Sequence, residues 1–285
     1  MPAVRHTARA RHARDEAPRR IGGLKSSPMA TIDRIYILDG GIAEVADGSI
    51  YSPGINVGVP MTLSCNAYLI SHRGEWLIWD TGIEDKLAKH PEGRIIAHGI
   101  RGIVRRPIAD QLDEIGVRPR DVSTILLSHA HFDHIGNVDL FENARWIAQR
   151  AEFEAMFGNE PEEFGYSLQH YEALKERPYQ IVDGDHDIFG DGAVRMIFTP
   201  GHTLGHCSLM VRLPRRGVVL LSGDVAHNRE NLRHMRVPSF NADQQATVAS
   251  MARVAELLRV ENAEIWINHD TAQSEALPHA PSWIA

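Results

Sequence analysis

Histidine and aspartate crowd into one heptapeptide, Ser128-His129-Ala130-His131-Phe132-Asp133-His134. Imidazole nitrogens and carboxylate oxygens are the donors that zinc and its transition-row neighbours take up. Four such donors between residues 129 and 134 point to metal chemistry, where a lone histidine would read as part of a solvated polar loop. In an extended chain His129 and His131 fall on one side. Asp133 and His134 follow as the chain turns and can face a second point, so one short segment can serve two ions. Three more donors stand elsewhere: His202 in Thr199-Pro200-Gly201-His202, Asp224 in Ser222-Gly223-Asp224, and His269 in Asn268-His269-Asp270. Five imidazoles and two carboxylates result. That set gives about three ligands to each of two ions. A bridging carboxylate and a shared hydroxide would hold such a pair roughly 3.5 Å apart.

Each donor follows a run of apolar, strand-forming residues. Val122 to Leu127 precedes the heptapeptide, Ala193 to Phe198 precedes His202, Val218 to Leu221 precedes Asp224, and Glu264 to Ile267 precedes His269. Short apolar runs of this kind read as buried strands. Further strands are expected at Arg34 to Leu38, Asn66 to Ile70, Trp76 to Trp79, Ala144 to Ala148 and Cys207 to Leu213. The turn His72 to Glu75 makes the second and third of these a hairpin. Helical spacing joins Val104, Ile108, Leu112 and Ile115, with Gly116 as the stop. A short helix is expected at Glu152 to Phe157. A longer one spans Ala242 to Arg259, with Val248, Met251, Val254, Ala255 and Leu258 on its apolar face. The order predicts an α/β protein with two sheets packed face to face, helices outside, and the donors along one edge. Residues 42–62 read as a long loop and residues 83–101 as irregular cover. Residues 158–178, with Phe164, Tyr166 and Tyr171, read equally as a substrate-binding loop or a surface excursion. Asp80, in Asp80-Thr81-Gly82, reads equally as an acceptor behind the ligands or as a surface turn.

Composition narrows the class. The chain has 285 residues, with 30 Lys plus Arg against 37 Asp plus Glu, so it lacks the basic balance of a general nucleic-acid binder. Cys65 and Cys207 sit in apolar contexts and read as buried free thiols. No apolar run reaches membrane-spanning length. Residues 1–28 are Arg-rich and lack the apolar core of a secretory signal, which makes the cytoplasm the default location. They cannot bury enough surface to order themselves. A disordered basic tail over residues 1–30 is therefore expected before a single domain at 31–285, and Met29 offers an alternative translation start.

The phrases His-x-His-x-Asp-His, Thr-Pro-Gly-His, Ser-Gly-Asp and the late His-Asp resemble those of the metallo-β-lactamase superfamily, from about residue 34 to the C-terminus. The resemblance implies an αββα sandwich with a dinuclear site at one edge. It implies His129, His131 and His202 on a first ion, Asp133, His134 and His269 on a second, and Asp224 bridging both. His206 would be structural. Two divalent ions are implied, zinc first, with manganese, iron and cobalt also suited to the ligands. Within the superfamily the chain is similar to the N-acyl homoserine lactonases in Phe132, the segment Thr199–His206, and Asn268-His269-Asp270. That similarity implies quorum-quenching opening of a lactone ring by a metal-bridging hydroxide. Asp133 would carry the proton to the leaving alkoxide. The partners implied are a small lactone or ester, with no nucleic acid and no membrane, and a second copy in a homodimer through 42–62. The lactonases place a tyrosine three residues after the bridging aspartate. Here that position is His227, whose imidazole can donate the same hydrogen bond to a substrate carbonyl. Other readings on this fold are hydrolysis of different esters, lactones or organophosphates, and persulfide oxidation at a single iron.

Overall fold

The computed structural model describes residues 29–97 and 99–285. One sheet has six strands in the order Arg34–Leu38, Ala67–His72, Glu75–Trp79, Val122–Leu126, Arg145–Gln149 and Tyr179–Val182. Its first three strands are antiparallel neighbours and the rest run parallel. A second sheet orders His186–Asp187, Val194–Phe198, Cys207–Leu213, Gly217–Leu221 and Glu264–Trp266, with only the last pair parallel.

Alternation along the strands sorts side chains into layers. Ile35, Ile37, Tyr68, Ile70, Leu77, Trp79 and Leu126 leave one face of the first sheet and pack on Val194, Met196, Leu209, Val211, Val219, Leu221 and Trp266 of the second. The opposite face of the first sheet, with Tyr36, Leu38, Leu69, Ile78, Ile125 and Trp146, meets Ile108 and Leu112 of helix Ile108–Glu114 and Ala155 and Met156 of helix Arg150–Met156. The outer face of the second sheet, with Ile197, Met210, Val218 and Leu220, meets Met251 and Val254 of helix Gln244–Val260. The architecture is the expected αββα sandwich. Sheets covered on both faces need strands that are apolar on both sides, which is why these strands read as continuous apolar runs.

The structure corrects several local readings. Residues 42–62 and 83–101 contribute a third, four-stranded sheet, Met61–Ser64, Ile42–Val45, Ile100–Ile103 and Arg94–Ala97. Its strands are short, and Ile42–Val45 pairs with Met61–Ser64 and Ile100–Ile103 across long gaps, so the glycines and prolines between them dominated the local pattern. Val104 lies outside the helix, which begins at Ile108 after Pro107, and packs in the cluster under the third sheet. The Asp85 carboxylate accepts from Ile108 N (2.8 Å) and Ala109 N (3.0 Å) and so sets that start. The long helix turns Thr247, Ser250, Met251 and Val254 inward and leaves Val248 exposed. Ser250 Oγ donates to Pro200 O (2.6 Å) and Thr247 Oγ1 to Asp243 O (2.7 Å), so the hydroxyls are buried with partners. The strand Tyr179–Val182 was not expected. The expected tail lies outside the described residues except for Met29 and Ala30. Among the described residues no helix is long and apolar enough to cross a membrane.

Candidate metal centre

Four strands that the sandwich aligns, Val122–Leu126, Val194–Phe198, Gly217–Leu221 and Glu264–Trp266, run out at one edge. The chain leaving each carries donors. After the first it makes the one-turn helix Phe132–Ile135, which carries Asp133 and His134 and leaves the His134 ring against that of His129, with centroids 4.1 Å apart. Glycine makes two of the other approaches feasible. Gly201 has φ +134°, and a Cβ there would lie 2.3 Å from Thr247 N. Gly223 has φ +53°, and its Cβ would lie 2.5 Å from His206 Nε2.

All seven expected donors meet. His129 Nε2 lies 3.0 Å from His131 Nδ1, which lies 2.9 Å from His202 Nε2, and His202 Nε2 lies 3.2 Å from His129 Nε2. Asp133, His134 and His269 form a second group, with His269 Nε2 3.6 Å from Asp133 Oδ2 and His134 Nε2 3.9 Å from Asp133 Oδ1. Asp224 stands between the groups. Its Oδ2 faces His202 Nε2 at 3.2 Å and His129 Nε2 at 3.8 Å. Its Oδ1 faces His269 Nε2 at 3.0 Å and His134 Nε2 at 3.2 Å.

The outward nitrogens explain why the inward ones converge. His134 Nδ1 bonds Asp80 Oδ2 (2.8 Å), His202 Nδ1 bonds Asn241 Oδ1 (3.0 Å), and His269 Nδ1 bonds the Ser64 carbonyl (2.7 Å). His131 Nε2 bonds the Phe164 carbonyl (2.9 Å), and His129 Nδ1 bonds Ser128 Oγ (2.9 Å), which itself donates to Asp80 Oδ2 (2.8 Å). Partners that only accept place the proton on the outer nitrogen, so lone pairs face the centre. Lone pairs at these separations repel unless positive charge lies among them. His134 Nε2 and Asp224 Oδ1 are both buried with no hydrogen-bond partner among the described residues. This donor set fits divalent cations.

The electrostatics agree. Burial holds His129 and His202 well below the usual imidazole range. At His134 burial opposes a proton, but Asp224, Asp133 and Asp80 outweigh it and lift the pKa to about 10. His269 is likewise lifted well above its ordinary value, against burial, chiefly by Asp224. For Asp224 burial opposes the charge, yet His269, His134, His227 and His202 hold its carboxyl well below the usual range. The raised values at His134 and His269 mark the same demand for positive charge among these donors.

Supporting residues emerge that the sequence left open or missed. Asp80 lies behind the donors: its Oδ1 accepts from Ser128 N (2.8 Å), and its own backbone is left-handed at φ 56°. His206 stays structural, with Nδ1 donating to Thr199 O (2.9 Å) and Nε2 accepting from Asp224 N (2.7 Å). Cys65 and Cys207 are both free and buried. Cys65 Sγ contacts Asp133 Oδ2 at 3.6 Å, and burial followed by the Asp133 charge pushes the thiol up to about 12. Glu152 was missed. It is 1% exposed and accepts from Ala130 N (2.9 Å), Tyr166 OH (2.5 Å), Thr203 Oγ1 (2.7 Å) and Gly205 N (3.2 Å). It ties the His131 loop to the His202 loop, but its sequence context is that of an ordinary surface carboxylate in a short helix. His227 is buried, with Nε2 3.2 Å from Asp224 Oδ2 and its ring stacked on His269. A cavity of about 390 Å³ opens onto the donors. Residues 162–165 of the aromatic insertion line it, as do Ile50 and Tyr51 of the 42–62 segment.

An αββα sandwich with histidine and aspartate donors gathered at one sheet edge defines the metallo-beta-lactamase class. Residues 61–263 match the metallo-beta-lactamase superfamily, and the chain belongs to it. It is 30% identical over 267 residues to the N-acyl homoserine lactonase AttM of Rhizobium radiobacter, covering 88% of this chain and 98% of that one. It is 28% identical over 260 residues to the N-acyl homoserine lactonase AiiA of Bacillus thuringiensis subsp. kurstaki, covering 89% and 100%. A solved N-acyl homoserine lactone hydrolase, with the product N-hexanoyl-L-homoserine bound at its catalytic metal center, superposes with a TM-score of 0.78 at 27% identity, covering 90% of this chain and 100% of that one.

Proposed function

We propose that this protein opens the ring of N-acyl homoserine lactones with water, using two divalent ions, zinc before manganese, iron or cobalt. The observation that carries the reading is the placement of Asp224, whose two oxygens face two separate donor groups. His129, His131 and His202 would hold one ion, Asp133, His134 and His269 the other, and Asp224 both. When bound, such a pair supplies a hydroxide nucleophile near neutral pH and polarises the carbonyl. Asp133 lines the cavity and would take a proton from the attacking water and return it to the leaving alkoxide. His227, also in the lining, presents an imidazole N–H for the carbonyl side of the substrate or for Asp224. Ile50, Phe132, Phe164 and Phe240 line the same cavity and offer an apolar wall to an acyl chain. The lactonase relatives support this substrate class.

The test is proton release from homoserine lactones of short to long acyl chain, with metal content measured on the same protein. A rate that disappears in Asp224→Ala supports the reading. No rate from protein carrying two metals per chain overturns the lactone assignment. One iron per chain in place of two ions overturns the dinuclear one.

A further inference from the structure

One phenol in the cavity has no part in the scheme above. Tyr51 follows the single turn Gly48–Ile50 and is 3% exposed, yet it lines the cavity together with Asp133, Asp224, His227 and His269. Its ring packs on His227 with centroids 4.7 Å apart and meets Phe240 edge-on at 5.4 Å. The backbone at this point is pinned from the stretch that follows His227. Asn231 Nδ2 donates to Tyr51 O (2.8 Å) and to Ser52 Oγ (2.9 Å), and Ser239 N donates to Ile50 O (2.9 Å). Asn231 is itself fully buried. Three hydrogen bonds thus hold the segment that carries Tyr51, whose own hydroxyl bonds to none of the described residues. Buried tyrosine hydroxyls ordinarily find a partner. This one has none among the described residues, and its residue lines the cavity beside the donors. Burial, then the charges of Asp133 and Asp224, push the phenol far above its ordinary range, so it remains a hydrogen-bond donor. His227, its neighbour, already has Nε2 against Asp224.

We propose that Tyr51 donates its phenolic hydrogen bond to the substrate oxygen that gains negative charge when the carbonyl is attacked. The proposal rests on the hydrolase reading above and adds a residue to it. No proton is transferred: the phenol stays neutral and the oxygen it meets is stabilised by a fixed dipole.

Tyr51→Phe keeps the ring against His227 and Phe240 and removes only the oxygen. In the metal-loaded protein, kcat for the lactone panel should fall about 10- to 100-fold with KM, metal content and melting temperature unchanged. A merely structural tyrosine would move the melting temperature and leave kcat alone. A second measurement does not depend on the lactone assignment. Calorimetric binding of an alkylphosphonate, a tetrahedral oxyanion mimic, should weaken about tenfold in Tyr51→Phe, the loss of one good hydrogen bond to a charged oxygen. If the wild type opens no lactone but phosphonate binding still weakens, the lactone assignment fails and the role of Tyr51 stands. If kcat and phosphonate affinity are both unchanged in Tyr51→Phe, the proposal is overturned.

Discussion

At Asp224 a buried carboxylate stays ionised because imidazoles crowd it on both sides. Asp224→Ala should remove metal from both groups at once. Mass-spectrometric metal counting should show a loss larger than that caused by Asp80→Asn, where an outer partner of His134 is altered and affinity falls about 10- to 100-fold. Asp133→Asn keeps the shape but cannot accept the proton. It should lower kcat by about 100-fold or more with little change in KM, and a variant with full rate and full metal content would exclude the acid–base role. Metal uptake should also depend on pH. Without metal, His134 titrates at about 10 and His269 well above its ordinary value, so both carry protons near neutrality. Metals bind the free base, so binding should release protons and the affinity should fall as pH falls. Calorimetry in two buffers of different ionisation enthalpy reads the number released.

Between elements, Glu152 is a joint with four hydrogen bonds. From the first turn of helix Arg150–Met156 it holds the loops that carry His131 and His202. Glu152→Gln replaces an acceptor-only group by one with two donors facing donors. It should cost about 1–3 kcal/mol in urea unfolding and weaken metal retention. A different joint gives a pH test of stability. Glu261, after the end of helix Gln244–Val260, pairs with Arg195 (2.8 Å) and Arg212 (3.2 Å) of two adjacent strands. Those arginines, Arg195 first, hold its carboxyl below the ordinary 4.5. The native state thus binds that proton less readily than the unfolded chain does. The stabilisation is present above pH 4.5 and is lost as pH falls through the lower native value. Melting curves of the wild type and Glu261→Gln should differ above that pH and converge below it.

For the whole molecule, the donor edge joins both sheets. The first donor cluster belongs to the six-stranded sheet, and His202, Asp224 and His269 belong to the five-stranded one. On the dinuclear reading, ions shared across that edge would bind only the folded state and raise its stability by mass action. Chelation should therefore lower the melting temperature by on the order of 5–10 °C, given about 2.7 kcal/mol at a hundredfold excess over Kd and about 2–4 °C per kcal/mol. Readdition of zinc should restore it. The third sheet rests against this edge, with Leu63, Cys65 and Ile83 in one cluster with Tyr51 and Phe132, so loss of metal should be felt there as well.

How much of this was legible beforehand depends on whether the information is local. Strands buried on both faces write themselves as apolar runs, and the donors follow those runs directly, so the sandwich and the seven converging side chains could be read from order and spacing alone. The short strands Ile42–Val45 and Met61–Ser64 could not, because each is too brief to show a period and its partner lies many residues away. The inward face of the long helix was misread for a related reason: Thr247 and Ser250 are tolerable inside only because specific acceptors lie there. Asp80 and Glu152 are carboxylates like any others until distant backbone N–H groups and hydroxyls converge on them. Tyr51 is one aromatic residue in a glycine-rich stretch until Asn231 and Ser239 fix it beside His227. The sequence by itself determined which chemistry the chain carries, because donor type and strand period are properties of neighbouring residues. Only the tertiary structure decided which polar groups are buried, paired and aimed at the cavity, because those properties belong to contacts between residues far apart along the chain.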